Sequence, residues 1–346
     1  MSGTDATPGT VGRRRPGRPD RPAAGAPPEP RSASYYGRPI VRPPNWAALD
    51  IAGYFYAGGL AAGCAVLAGG AQLTGRPALA RACRLGALGG VALSLVGLVH
   101  DLGRPGRFLN MLRVVKPTSP MSMGSWILCA FGPPAGVAAV CELTGRLPRL
   151  GRLATGVAAL VGPAVATYTA VLLADTAVPA WHEGRRELPL LFAGSATATA
   201  AGLGMLAAPV AQASPARAAA VFGAGAELLA DARMRRRLGL LAEPYRTGRG
   251  GRLTRAGRVL TATGALVGAC AGALPGRRGR LVAALGGAAL LAGGACTRFG
   301  VFAAGVASAR DPKYTVLPQR ARLAARRRGE EAARDAAGEA GADGAG

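Results

Sequence analysis

Long apolar segments, separated by short arginine-rich connections, dominate this chain. Most are about 17–25 residues long, the length at which a helix crosses the roughly 30 Å hydrocarbon core of a bilayer. The net charge of +24 fits this arrangement, because Lys and Arg commonly flank membrane helices. A nucleic-acid partner is not predicted, since no folded basic segment with interleaved aromatic residues is present. The sequence predicts an all-α integral membrane protein.

Eight transmembrane helices are predicted. Gly and Ala are abundant in them, which favours close helix packing in lipid. Both termini then lie on one side, where Lys and Arg are more numerous, so the positive-inside rule predicts cytoplasmic termini in the cell inner membrane. The sixth segment is the least apolar, since it contains Glu227 and Asp231. The predicted spans are approximately 50–73, 84–100, 124–142, 153–175, 189–211, 216–232, 256–275 and 281–307.

Polar segments flank the predicted membrane domain, which covers residues 34–320. Residues 1–33 are rich in Pro, Gly and Arg without an apolar period, which predicts a disordered tail. The Arg-, Ala- and Glu-rich segment 321–346 is predicted to be a polar tail, either a short surface helix or disordered.

The numbers of cysteine and histidine residues limit the cofactors. No two of the six cysteines have CxxC spacing, so the sequence predicts neither an iron–sulfur cluster nor a metal site. The only histidines are His100 and His182, too few for two haems that are each held by a histidine pair. We therefore expect no haem, and electrons that pass through this chain must be exchanged with a partner's cofactor.

The polar segment between the second and third spans carries the strongest functional signal. An apolar run ends abruptly in His100 and Asp101, and Arg104 and Arg107 follow. Ionisable groups at the end of a membrane helix carry a large desolvation penalty unless they find partners. They are therefore candidates for a site that moves protons or holds a polar ligand at the membrane edge.

The predicted topology brings further polar residues to the same membrane side. Glu227 and Asp231 lie one helical turn apart and share a face. Arg298 lies well inside the last span, so it is expected to meet an acid or a ligand. The full set on this side is His100, Asp101, Tyr168, Asp175, Trp181, His182, Glu227, Asp231 and Arg298.

Structural roles remain open for most of these residues. His100 as an interfacial histidine and Asp101 as a turn cap are alternatives, and Arg104 as a headgroup contact is another. Tyr168 in an aromatic belt is a further alternative. Glu227 and Asp231 on a surface helix, paired with nearby arginines, would also explain their positions.

Quinone chemistry suits this set of residues. A quinone takes up two electrons and two protons at its oxygens, so its site needs hydrogen-bond donors and a carboxylate that exchanges protons with water. An apolar channel open to lipid is also needed. Two competing hypotheses are a proton- or solute-translocating channel without quinone chemistry and a purely anchoring subunit.

Four sequence segments resemble the NrfD/polysulfide reductase (PsrC-like) membrane-subunit family. Together with the predicted spans, they extend the resemblance over about residues 35–320. The segments are PPNWAALDIAGYFYAGGLAAG (43–63), HDLGRPGRFLNMLRVVKPTSPMSMGSW (100–126), YTAVLLADTAVPAWH (168–182) and RFGVFAAGVASARDPKYTVLPQR (298–320).

The resemblance implies two four-helix bundles, at 34–175 and 176–320, without haem. It also implies a site for menaquinone or ubiquinone in the first bundle, beneath a four-cluster ferredoxin-like iron–sulfur subunit. Terminal catalysis would lie in a molybdopterin or multihaem subunit. In well-known members the side on which the iron–sulfur subunit docks faces the outside of the cell. The arginine distribution of this chain predicts instead that this side faces the cytoplasm.

The resemblance also assigns residue roles. Its implied quinone-reacting residues are His100, Asp101, Tyr168 and Asp175. The implied quinone-binding residues are Asn45, Trp46, Arg104, Trp181 and Arg298. The implied proton path contains Glu227, Asp231 and Arg298.

Overall fold

The computed structural model describes residues 40–42, 44, 46–101, 106, 110, 112–113 and 115–343, with side chains as far as residue 330. This part of the chain is helical throughout, and no strand occurs in it. Three 3₁₀ turns connect helices at Gly184–Arg186, Gly239–Tyr245 and Ala271–Ala273. The helices are α1 (Ala48–Leu73), α2 (Pro77–Asp101), α3 (Pro120–Thr144), α4 (Pro148–Ala174), α5 (Pro179–Glu183), α6 (Leu188–Ala207), α7 (Ser214–Arg237), α8 (Gly248–Cys270), α9 (Gly276–Arg310) and α10 (Lys313–Asp343).

Seven helices in the described ranges are long and apolar enough to cross a membrane, namely α1, α2, α3, α4, α6, α8 and α9. The predicted span at 216–232 lies inside α7, which is 24 residues long and is not among the seven. Its sequence holds two acids and a basic last turn. The all-α fold and the multiple apolar helices are confirmed, whereas eight crossings in two four-helix bundles stay a prediction.

Neighbouring helices pack in pairs, α1 with α2, α3 with α4, α6 with α7 and α8 with α9. Helix α1 also packs against α4 and α6, so helices of the two predicted bundles touch each other. A cavity of about 450 Å³ is lined by both Trp46 and Tyr314. The beginning of α1 and the end of α9 therefore lie at the same end of the helical array.

Two glycines allow α2 to approach α1 closely. A Cβ atom at Gly90 would lie 2.8 Å from the carbonyl oxygen of Ala57, and one at Gly97 would lie 3.1 Å from that of Asp50. The two glycines are seven residues apart and share a helix face. This contact fixes the end of α2, and with it His100 and Asp101, beside the first turn of α1.

The two predicted boundaries at residues 176 and 320 fall in different kinds of structure, one in a link between helices and the other inside a helix. Residue 176 falls in the link between α4 and α5. Residue 320 falls inside α10, so the segment from 321 continues a helix that begins at Lys313. That helix is attached to the membrane domain by Lys313, whose Nζ lies 3.0 Å from Glu243 Oε1, and by Arg322, which pairs with Glu183 at 3.2 Å. Residues 1–33 lie outside the described residues.

A buried carboxylate ties the beginning of α6 to the end of α7. Both carboxylate oxygens of Glu187 accept hydrogen bonds from Arg237, at 2.7 Å to Nε and 2.6 Å to Nη2. The Glu187 side chain is 5% exposed and that of Arg237 is 31% exposed. The Arg237 hydrogen bonds hold the pKa of Glu187 below its ordinary value near 4.5.

We expect Arg237→Gln to lower the free energy of unfolding at pH 7 by about 2–3 kcal/mol. This is below the usual cost of breaking a fully buried pair, because Arg237 is partly exposed. Since the folded pKa of Glu187 is depressed, the contribution of the pair is present above about pH 4.5 and is lost as the pH falls further. Thermal unfolding in detergent should therefore show a smaller difference between variant and wild type at pH 4 than at pH 7. Arg236→Gln, at an exposed neighbour, is the matched control, and an equal loss at both pH values would contradict the assignment.

Candidate functional site

Two buried tyrosines face each other within the first four helices. Tyr54 of α1 and Tyr168 of α4 form a hydrogen bond between their hydroxyl groups. Their rings meet edge-on with centroids 6.5 Å apart. They are only 4% and 8% exposed, so the two phenols form an isolated polar pair in an apolar environment. A phenol both donates and accepts a hydrogen bond. Either hydroxyl could therefore give up its hydrogen bond to the other tyrosine and bind a carbonyl or hydroxyl group of a ligand instead.

A small cavity lies against this tyrosine pair. Its volume is about 80 Å³. It contains three of the predicted site residues, namely Trp46, Asp101 and Tyr168. Met121, which also lines it, is 54% exposed, so the cavity reaches the protein surface there. The lining residues are Trp46, Ile51, Tyr54, Phe55, Leu98, Asp101, Met121, Gly124, Ser125, Leu128, Tyr168 and Leu172.

His100 lies at the outer edge of the site beside an acid of α1. Its Nδ1 is 3.0 Å from Asp50 Oδ2, and its side chain is 76% exposed. Asp101, the next residue, is exposed and lines the cavity. His100 and Asp50, by contrast, do not line the cavity and form their own contact beside it. One histidine and two carboxylates near the tyrosine pair are groups suited to passing protons.

Of the other predicted site residues, Asp175 does not line the cavity. Asp175 caps the end of α4 and is exposed, without a hydrogen bond or ion pair from its side chain to any described residue. Asn45 and Arg104 lie outside the described residues.

Trp181 lies behind the cavity and does not line it. Its indole is fully buried, and Nε1 donates to the carbonyl oxygen of Val301 at 2.8 Å. It stacks on Trp46 with centroids 6.1 Å apart and an interplanar angle of 16°. Because Trp46 lines the cavity, this stack supports one wall of the site.

Arg298 lies in a second cluster, among α1, α6, α7 and α9. Its guanidinium group stacks on the Phe192 ring, 3.7 Å from the centroid, and Nη2 donates to the Phe192 carbonyl oxygen at 2.8 Å. Its exposure is only 2%. The Nη1 atom has no hydrogen-bond partner among the described residues. Burying a guanidinium with a free donor is costly, so this arrangement is typical of a functional position.

Glu227 lies on the other side of Arg298. Its Oε1 accepts a 2.6 Å hydrogen bond from Thr297, the residue before Arg298, and Oε2 accepts one from Thr261 at 3.5 Å. Glu227 is 2% exposed and interacts electrostatically with Arg298. The sequence predicted that Arg298 meets an acid or a ligand; among the described residues it interacts electrostatically with Glu227 but forms no ion pair, so a direct contact stays a prediction.

Asp231 has ordinary ion-pair partners. Its Oδ2 accepts hydrogen bonds from Arg235 at 2.9 Å and from Arg258 of α8 at 3.2 Å. The structural alternative raised for this residue, pairing with nearby arginines, thus accounts for its position.

Sequence reasoning missed Tyr54 and Asp50. They lie one turn apart on α1, in the segment DIAGY, and so share the face that meets Tyr168 and His100. A carboxylate four residues before a tyrosine at the start of an apolar span is the signal that could have identified them. The partner across the helix interface could not be identified from the spacing alone.

Comparison with known families gives one match. The family model for polysulphide reductase, NrfD, matches residues 42–224, which is more than half of the chain. The matched part contains the tyrosine pair, the cavity and the His100–Asp50 contact, whereas Glu227 and Arg298 lie beyond it. A search of curated proteins finds no match. Together with the seven apolar helices, the family match indicates a multi-pass membrane protein.

Proposed function

Because the chain belongs to the polysulphide reductase NrfD family, whose members are membrane subunits of oxidoreductase complexes, we propose that it is the quinone-reacting subunit of such a complex. It exchanges electrons between a membrane quinone, menaquinone or ubiquinone, and an iron–sulfur partner subunit. Terminal catalysis then belongs to a further subunit of the molybdopterin or multihaem type.

The observation that carries this proposal is the buried tyrosine pair beside an apolar cavity that also contains Asp101. Oxidation of a quinol releases two electrons and two protons. The Tyr54 and Tyr168 hydroxyls supply hydrogen-bond partners for the quinol oxygens. Asp101, with His100 and Asp50, supplies groups that take the protons to water. The electrons leave to the partner's cluster.

A quinone must open the cavity in order to bind. At about 80 Å³ it is well below the roughly 300–1,000 Å³ typical of ligand pockets. Met121 is an exposed apolar residue of the lining, and we infer that its unbranched side chain moves aside to admit the ring from the membrane.

Gly124→Ala tests whether quinone occupies this cavity. A Cβ atom at residue 124 would lie 2.6 Å from Cε2 and 2.7 Å from Cδ2 of Tyr168, so the methyl group fills the cavity and displaces that ring. We expect at least a tenfold loss in the affinity for a short-chain quinone, since overpacking typically costs about 1–3 kcal/mol. The measurement is quenching of tryptophan fluorescence during a quinone titration of the purified chain in detergent, because Trp46 lines the site.

Gly136→Ala is the matched control. Gly136 lies further along the same helix, and a Cβ atom there would meet nothing within 4 Å. It should bind quinone like the wild type. Equal affinities for Gly124→Ala and Gly136→Ala would place quinone elsewhere.

We further propose a proton path through the second cluster. The unpartnered Nη1 of Arg298 is a buried donor, and Glu227, with which Arg298 interacts electrostatically, is the acid that would accept a proton. Water is the natural partner for such buried donors. Asp231, paired with Arg235 and Arg258, would then link Glu227 to the end of α7.

The orientation is also a proposal. The beginning of α1 and the end of α9 lie at one end of the array, which supports an even number of crossings. The excess of Lys and Arg at that end favours the cytoplasmic side for both termini and for the docked partner.

A further inference from the structure

A polar cavity that is separate from the candidate functional site lies at the opposite end of the first four helices. Its volume is about 520 Å³. It lies where α1 and α3 end and where α2 and α4 begin, whereas the tyrosine pair lies near the beginning of α1 and the end of α4. Gln72 lines it, eighteen residues beyond Tyr54 on α1, or roughly 27 Å along the helix axis.

Arg84 forms a fixed floor for this cavity. Its Nε donates to Thr155 at 2.8 Å, its Nη2 donates to Gln72 at 2.7 Å, and its Nη1 pairs with Glu142. All three nitrogens are therefore occupied. Arg84 shapes the cavity, and its charge is offset by Glu142.

Two other arginines line the same cavity without an acid. Arg76 and Arg152 form no ion pair with any described residue, and Glu142 is the one acid that lines the cavity. Arg76 uses Nη1 in a 2.7 Å hydrogen bond to the Ala211 carbonyl oxygen, which positions it and leaves its other nitrogens available. With Arg84 offset by Glu142, the lining carries a net charge of about +2. The cavity is therefore suited to an anion.

Exposed leucines are close in the sequence to residues that line the cavity. Leu73, Leu143, Leu147 and Leu150 adjoin lining residues in the sequence and are between 45% and 86% exposed. Exposed leucines beside guanidinium groups match an amphiphile, because hydrocarbon can cover the leucines while the anionic group enters the cavity.

We propose that this cavity binds the phosphate group of an anionic phospholipid between Arg76 and Arg152, with the acyl chains against the exposed leucines. The site is separate from the tyrosine pair, so it does not depend on quinone chemistry. It holds the four helix ends together at the membrane surface opposite the quinone site.

The test is a lipid titration of the full-length chain in a neutral detergent, followed by native mass spectrometry. We expect phosphatidylglycerol to bind more tightly than zwitterionic phosphatidylcholine. The double variant Arg76→Gln/Arg152→Gln should bind phosphatidylglycerol at least tenfold more weakly, since two basic contacts are removed. Arg152→Gln alone, at an exposed side chain, should bind phosphatidylglycerol several-fold more weakly. This variant keeps the Arg76 contact to Ala211.

Arg277→Gln/Arg278→Gln is the matched control. It removes the same charge from exposed positions at the same end of the array, in the first turn of α9, and neither residue lines the cavity. It should retain wild-type lipid affinity. An equal loss in both double variants, or no loss in the cavity variants, would overturn the proposal. Displacement of the lipid by inorganic phosphate at similar concentration would instead assign the site to free phosphate and overturn the lipid assignment.

Discussion

Tyr168→Phe is expected to lower quinol-dependent electron transfer about a hundredfold while the complex still assembles. The substitution removes the hydroxyl that bonds to Tyr54 but keeps the ring that fills the wall of the cavity. A positioned donor or acceptor of protons typically contributes about 10²–10⁴ in rate. Tyr54→Phe removes the other half of the pair and should have a similar effect. The measurement is quinol-dependent reduction of a soluble electron acceptor by the complex assembled with its native partners.

Tyr56→Phe is the control for this pair. Tyr56 lies on the same helix, but its hydroxyl donates to the Leu291 carbonyl oxygen at 3.1 Å and does not line the cavity. The Tyr56→Phe variant loses a comparable hydrogen bond that lies outside the site, so its quinol-dependent turnover should differ from that of the wild type by less than about threefold. Normal turnover in Tyr168→Phe and Tyr54→Phe, with intact complexes, would favour the anchoring or channel hypotheses over quinone chemistry.

The sequence predicted where helices occur more accurately than where they begin and end. The second span was predicted at 84–100, whereas α2 begins at Pro77 and ends at Asp101. Hydropathy detects only the part of a helix that lies in the hydrocarbon region. The helix itself continues into the membrane interface, where Arg84 pairs with Glu142. The last span, predicted at 281–307, likewise extends to Gly276–Arg310. Polar helix ends have no hydropathy signal, so periodicity alone could not place them.

Part of the site was predictable because its residues are unusual in a membrane helix. Asp101 and Tyr168 were identified by residue type and Trp46 by the family resemblance, and the structure places all three around one cavity. Tyr54 was missed because it stands beside other aromatic residues in an apolar run, so the sequence does not distinguish it from a residue that only packs in the core. Its role depends on how α1 and α4 are rotated about their axes, which is decided by packing contacts such as that of Gly97 with α1.

The single polar surface expected from topology is divided into two clusters. Arg298 lies three turns before the end of α9, roughly 18 Å along the helix, so it lies well inside the array, where it interacts electrostatically with Glu227. Phe55 lies between the clusters, since its ring contacts that of Tyr54 at 5.4 Å and that of Phe192 at 6.2 Å. Topology gives the side on which a helix ends but not the depth of a residue within it, and for Arg298 the depth determines the partner.

Arg298→Met should be among the most destabilising substitutions, with a loss of about 3–5 kcal/mol in the free energy of unfolding. It removes a buried guanidinium group, breaks the hydrogen bond to Phe192 and leaves Glu227 without its nearest described cation inside the array. The midpoint of thermal unfolding in detergent measures the effect. Arg310→Met, an exposed residue of the same helix, is the control and should change stability by less than about 1 kcal/mol.

A double-mutant cycle with Glu227→Gln separates electrostatic coupling from packing. If Arg298 is retained mainly to compensate the Glu227 charge, neutralising the acid should recover roughly 1–3 kcal/mol of the loss in the double variant. Gln keeps an oxygen that accepts the Thr297 hydrogen bond, so the single variant should remain folded. Additive effects would mean that Arg298 acts through Phe192 and packing alone. In that case the second cluster is a scaffold, and the proposed proton path loses its central pair.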